Sequence, residues 1–312
     1  MSQYFAGSPE DARLKRMATN FSVAVGVTLA VAKLAAWLIT DSVTILSSLL
    51  DSMVDVAASL ITLMTVRHAL RPPDRSHRFG HGKAEPLGAL AQAAFIGGSG
   101  LFVVFQGVNR LVNPQPIRDT AVGVSVMVLS ILLTAALVLF QRHVIRRTGS
   151  LAIYADRLHY LGDLLTNAAV IGTLLASYYA GIGWLDPVVA IVIAGYLVVN
   201  AAQIGRGALD VLMDRELPGE DRDRIKAIVL ANDDVEGLHD LRTRTSGSTT
   251  FIALHLEVDG EMTVNRAHDI SDSVEDALRD AFPGAQVIVH QEPAGLDDDR
   301  LDHVIRRGRR SD

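Results

Sequence analysis

Six apolar stretches dominate the first two thirds of the chain: 17–39, 43–66, 88–112, 121–143, 153–180 and 184–206. A bilayer core about 30 Å thick asks for about 20 mostly apolar residues in one helix. Lipid offers no partner to backbone N–H and C=O groups, and a helix satisfies them internally. Each stretch is long enough. Ala121–Phe140 holds no charged residue at all, which argues against a buried helix of a soluble protein. The sequence therefore reads as an α-helical membrane protein with six transmembrane helices.

Charge divides the chain. Residues 1–212 hold 16 Lys/Arg against 12 Asp/Glu, a net of +4, and residues 213–312 hold 13 against 23, a net of −10. We expect a transmembrane domain over 1–212, a soluble domain over 213–295 and a disordered charged tail over 296–312. Basic residues gather before the first stretch (Arg13, Lys15, Arg16), between the second and third (Arg67, Arg71, Arg75, Arg78, Lys83) and between the fourth and fifth (Arg142, Arg146, Arg147, Arg157). By the excess of Lys and Arg in cytoplasmic loops, both termini face the cytoplasm. The polar start lacks a signal-peptide pattern, so no cleaved signal is expected. With no cysteine in the chain, thiolate metal sites and Cys nucleophiles are excluded.

The soluble part alternates two periods. Residues 220–231 and 264–282 read as helices, and 240–245, 250–258 and 285–290 as strands, with Ser246-Gly247-Ser248 as a hairpin turn. The order αββαβ fits a small α+β domain.

An Asp at mid-membrane costs about 2.5–3.5 kcal/mol on insertion scales, so such residues need partners. Asp51 and Asp55 lie in the second stretch, His159 and Asp163 in the fifth, each pair spaced i, i+4 on one helical face. Opposed, the two faces would present three carboxylates and an imidazole, a hard N/O set suited to tetrahedral Zn2+ and open to Fe2+, Mn2+ or Cd2+. Polar helix contacts or a metal-free proton relay are the alternative, although three facing carboxylates would then repel unless protonated. Asp74, His77 and His81 in the loop after the second stretch have chelating spacing, yet loop histidines are commonly just solvated. His239, His255, His268, His290 and Glu292 form a third, looser group. Lys33 is expected to snorkel to the headgroups without a role. Gly97, Gly98 and Gly100 read as sites of close helix approach.

Leu50–Asp55, His77–Glu85, Ala155–Asp163, His239–Arg244 and Val289–Pro293 together resemble, in order, the motifs of the cation diffusion facilitator family, in its bacterial zinc and ferrous-iron efflux branch. The resemblance implies a homodimer in the bacterial cytoplasmic (inner) membrane, six helices per protomer and a metallochaperone-like cytoplasmic domain. It implies a proton-coupled antiporter that exports Zn2+ or Fe2+, with Cd2+ or Mn2+ as further substrates, by alternating access. Under it Asp51, Asp55, His159 and Asp163 look like the transport site, and Asp74, His77 and His81 like a loop metal site. His239, His255, His268, His290, Gln291 and Glu292 look like a cytoplasmic metal site. Lys83 and Asp214 look like a charge interlock between protomers. Typical members carry Asp at the position of Glu292, and the longer side chain puts the bridging of two metals there in question.

Rival functions fare worse. No H-E-x-x-H motif supports an intramembrane metal hydrolase. An exporter of organic cations would line its path with aromatics, which make up only 5% of the chain. A metal sensor without transport would share the same ligands, and a flux assay separates it from an exporter. No nucleic-acid partner is expected.

Overall fold

A computed structural model describes residues 8–41, 43–113, 121–180, 185–296 and 300–302. The chain separates into two compact units, Pro9–Leu212 and one containing Met213–Asp312. The first is a bundle of six long helices: α1 (Pro9–Thr40), α2 (Val43–Ala69), α3 (Ala84–Val112), α4 (Ala121–Thr148), α5 (Leu151–Ala180) and α6 (Leu185–Leu212). Among the described residues, segments of α1, α2, α3, α4 and α6 are each long and apolar enough to cross a membrane. The remaining helix, α5, runs 30 residues and carries Asp156, Arg157, His159 and Asp163 in its first half. Large apolar side chains such as Leu38, Met64, Phe102, Phe105, Leu132 and Val192 are exposed along the bundle. A lipid surface accepts them, whereas water would penalise so continuous an apolar face.

The helices outrun the apolar stretches because their polar ends find partners. α1 starts at Pro9, and Glu10 accepts two hydrogen bonds from Arg147 of α4, both 2.9 Å. Lys15 of α1 pairs with Glu85 of α3 at 3.0 Å, both side chains buried. Close helix approach is real but only partly where the glycines suggested it. A Cβ on Gly100 would come within 2.7 Å of Val198 and one on Gly107 within 2.6 Å of Ile191, so α3 lies tightly on α6. Gly97 and Gly98 have open space instead.

One fully buried polar hub ties four helices together. The Asp156 carboxylate on α5 accepts from Ser22 of α1 (2.6 Å), Gln92 of α3 (3.1 Å) and Gln141 of α4 (2.7 Å). Tyr160, one turn on, donates to the Ser22 carbonyl (3.1 Å) and lies 2.9 Å from Ser59 of α2. Every polar atom of such a cluster depends on the others, because nothing nearby replaces a lost partner.

The second unit has the order α7 (Gly219–Val229), β1 (Gly237–Ser246), β2 (Thr249–Val258), α8 (Val264–Ala281) and β3 (Gln286–Pro293). The αββαβ reading stands, with β1 starting three residues earlier than expected and taking in His239. The sheet order is β1-β2-β3, the first pair antiparallel and the second parallel. Ile252, Leu254, Leu256 and Val258 alternate inward onto Ile225 and Val229 of α7 and Ile270, Val274 and Leu278 of α8. The odd-numbered residues of β2, including His255 and Glu257, therefore stand on the opposite face. Within 296–312, Arg300–Asp302 are held against the sheet unit, since Asp240 accepts from the N–H groups of Leu301 (2.9 Å) and Asp302 (3.0 Å). Residues 297–299 and 303–312 lie outside the described residues.

The hub makes a test of the bundle. Asp156→Ala strands the amides of Gln92 and Gln141, costing about 2–4 kcal/mol. The thermal midpoint of the detergent-solubilised protein should fall by roughly 5 °C or more, measured by fluorescence-detected unfolding.

Candidate metal centres

Within the bundle α2 and α5 meet through their acidic faces. His159 Nε2 lies 2.9 Å from Asp55 Oδ1 and 3.9 Å from Asp163 Oδ2. One ligand atom from each of the three falls within 4.8 Å of the others, close enough to share one ion. Asp51, one turn before Asp55 on α2, is exposed and stands outside this group. Three of the four expected residues thus converge.

Lys33 departs from the snorkelling expectation. Its ammonium turns into the bundle, donating to Ser52 Oγ at 2.7 Å and to the Ser48 carbonyl at 3.1 Å, both on α2. Ser52 is 1% exposed and adjoins Asp51. A cation in an apolar span is drawn inward when it finds acceptors and carboxylates there. Sequence reading missed it because spacing within α1 says nothing about what α2 presents to it.

The loop cluster also closes up. Asp74 Oδ1 lies 3.4 Å from His77 Nδ1, and Asp74 Oδ2 lies 3.3 Å from His81 Nε2. The backbone N–H groups of His77 (2.7 Å) and Ser76 (2.8 Å) donate to Asp74. Those donors, His77 first, hold the Asp74 carboxyl below the ordinary carboxylate range. A charged carboxylate and two imidazoles at such distances form a three-ligand group.

In the sheet, His239, His255 and His290 pair in register across β1, β2 and β3. A bulge lies between His239 and Arg242, with Asp240 at φ 50°. The extra residue keeps His239 and Arg242 on one face although they are three positions apart. His255 Nδ1 is 3.0 Å from Glu292 Oε1, and His239 Nε2 also contacts Glu292. His239, His255 and Glu292 form the third group. His290 stacks against His255 at 4.8 Å between ring centroids but is not part of that group. Gln291, half-buried, is not in it either. His268 lies apart on α8, exposed and 3.4 Å from Asp272. Arg300 reaches Glu257 at 2.8 Å, beside this group. The expected interlock residues have partners within their own units: Lys83 donates to the Leu212 carbonyl (3.3 Å), and Arg244 donates to Asp214 (3.4 Å).

The sequence of the helical unit, over residues 20–213, matches the family described as the cation efflux transmembrane domain. Residues 217–294 match the cation efflux protein cytoplasmic domain. The chain belongs to the cation efflux, or cation diffusion facilitator, family. Among its relatives is the cation-efflux pump FieF of Shewanella oneidensis, 46% identical over 90% of this chain and 95% of that one. FieF of Shigella flexneri is 44% identical over 96% of this chain and 97% of its own. A metal-bound C-terminal domain of the CzcD transporter of Thermotoga maritima is 27% identical over 26% of this chain and 100% of that one, with a TM-score of 0.25. As a member of the cation efflux family the chain is a transporter and not an enzyme, with a helical transmembrane domain and a cytoplasmic domain built on the small sheet.

Asp240 makes the sheet cluster testable through its support. Burial would raise its carboxyl, but the N–H groups of Asp302 and Leu301, with His239 and His255 nearby, outweigh burial and lower it. A lowered carboxyl contributes stability that is complete above the ordinary value near 3.9 and is lost as pH falls through the lowered one. The amides of Leu301 and Asp302 should keep constant exchange protection from about pH 5 upward. In Asp240→Ala that protection should vanish at every pH, as read by hydrogen exchange.

Proposed function

We propose that the chain exports divalent transition-metal ions from the cytoplasm in exchange for protons, with Zn2+ and Fe2+ as principal substrates and Cd2+ or Mn2+ as further ones. The observation that carries this reading is His159 Nε2, set 2.9 Å from Asp55 and 3.9 Å from Asp163. A proton and a metal ion cannot share that nitrogen, because ligation needs the neutral imidazole lone pair. Protonation turns His159 into a cation that pairs with the same carboxylates, so the site exchanges one positive occupant for another. An imidazole that ordinarily titrates near 6.5 is suited to this between cytoplasm and a more acidic exterior. Asp51, at i, i+4 from Asp55, supplies the fourth ligand, which a rotation of α2 or of its side chain would bring in. The α5 helix is the sixth span, its polar face turned from lipid toward this site.

The protein works as a homodimer in the bacterial inner membrane, both termini cytoplasmic. The cytoplasmic domain fits the dimer role that its family domain carries, and His239, His255 and Glu292 hold Zn2+ there, with His268, His290 and Gln291 joining when protomers close. Lys83 and Asp214 interlock the protomers beside the membrane. Asp74, His77 and His81 form a separate loop site. The FieF relatives are named as cation-efflux pumps, which supports the direction of transport.

Reconstituted vesicles test the mechanism. An imposed pH gradient alone should drive zinc flux, and Asp55→Ala or Asp163→Ala should abolish it while the protein still inserts and dimerises. Near-normal flux from either variant, or flux blind to the gradient, would overturn the reading.

Lys33 adds a second measurement. Its charge repels a metal ion at the carboxylates, so removing it strengthens binding and slows release. Lys33→Met should lower the half-saturating zinc concentration at least about threefold and reduce maximal flux, a split that simple misfolding would not produce.

A further inference from the structure

Three histidine rings meet in the loop after α2, of which only two belong to the loop cluster. His81 contacts His77 at 4.6 Å between centroids and His68, edge-on, at 4.7 Å. His68 occupies the last turn of α2 and is exposed. His81 is 8% exposed, and its Nδ1 is buried with no hydrogen-bond partner. A buried, unpartnered imidazole nitrogen is costly unless a ligand is to use the ring. The other nitrogen, Nε2, faces Asp74 at 3.3 Å.

We propose that His68 is the fourth ligand of a tetrahedral zinc site completed by Asp74, His77 and His81. The inference rests on reading those three as a metal site and deepens it. His68 stands just outside the three-residue group, and its exposed ring can turn a nitrogen toward a shared ion without repacking the bundle. Zinc at about 2.0–2.1 Å from each nitrogen requires ligand atoms just over 3 Å apart, a separation that neighbouring rings in contact can reach. Three imidazoles and one carboxylate close the shell, which marks a structural rather than a catalytic or transported ion. They also make the loop softer than the carboxylate-rich site between α2 and α5, favouring Zn2+ over Mn2+ or Fe2+. Because His68 ends α2 and His81 precedes α3 by a few residues, the bound ion would fasten the two helices at one end. That end of α2 lies about 20 Å along the axis from Asp55.

The test uses the full chain in detergent, with Asp163→Ala and His255→Ala silencing the other two clusters, and cobalt(II) and zinc as probes. This parent should bind one ion, and its cobalt complex should show intense tetrahedral visible absorption. His68→Ala should weaken zinc binding at least about tenfold and change the cobalt spectrum as water replaces nitrogen. His68→Phe keeps a ring against His81 but offers no nitrogen, so it should be as weak as His68→Ala. Binding restored by His68→Phe would reduce His68 to a packing contact and overturn the proposal. Unchanged affinity and spectrum in His68→Ala would overturn it as well. His81→Ala separates the two levels: retained binding there removes the loop site itself, and the fourth ligand with it.

Discussion

The contact between His159 Nε2 and Asp55 Oδ1 joins α5 to α2 across their acidic faces. Neither side chain would be tolerated alone in hydrocarbon, since a lone carboxylate or imidazolium there has no solvent to replace water. Each makes the other acceptable, and Asp163 on the next turn adds a second carboxylate to the same nitrogen. Carboxylates gathered in this way repel one another, and positive charge among them relieves that repulsion. A proton on the imidazole and a divalent ion would each supply that charge, which is the physical basis of the proposed exchange of one against the other.

That contact needs helices held at a fixed separation, and the holding is done by a different set of polar groups. Asp156, three residues before His159, draws α1, α3 and α4 onto α5 through Ser22, Gln92 and Gln141. Tyr160 adds α2 through Ser59. Without a hydrophobic drive between helices in lipid, such hydrogen bonds and the close contacts at Gly100 and Gly107 carry the packing. Lys33 belongs with these groups: it ties α1 to α2 at Ser48 and Ser52, next to Asp51.

The cytoplasmic sheet solves a different problem, gathering His239, His255 and Glu292 from three strands onto one face. Strand alternation alone sends His239 and Arg242 to opposite sides, and the bulge at Asp240 corrects this. The conformation is held by the backbone N–H groups of Leu301 and Asp302, from a stretch that composition marked as tail. Glu292, despite its extra methylene, reaches both His239 and His255.

Sequence alone determined the class of this protein and named the residues that converge between α2 and α5. Apolar length separates membrane helices from soluble ones, because the bilayer thickness is a fixed ruler. The i, i+4 spacing put Asp51 and Asp55 on one face of α2 and His159 and Asp163 on one face of α5, because a helix repeats nearly every four residues; that the two faces meet was decided by the packing. Both signals are local. Tertiary structure decided what depends on a second element: that Lys33 turns inward, that Asp51 stands apart while Asp55 engages, that His268 lies away from the sheet cluster, and that Gly97 and Gly98 face open space. It also decided that His68 meets His81 and that Asp240 is clamped by residues sixty positions later. No periodicity encodes those pairings, because each is set by how two separately folded segments are brought together rather than by the spacing within either.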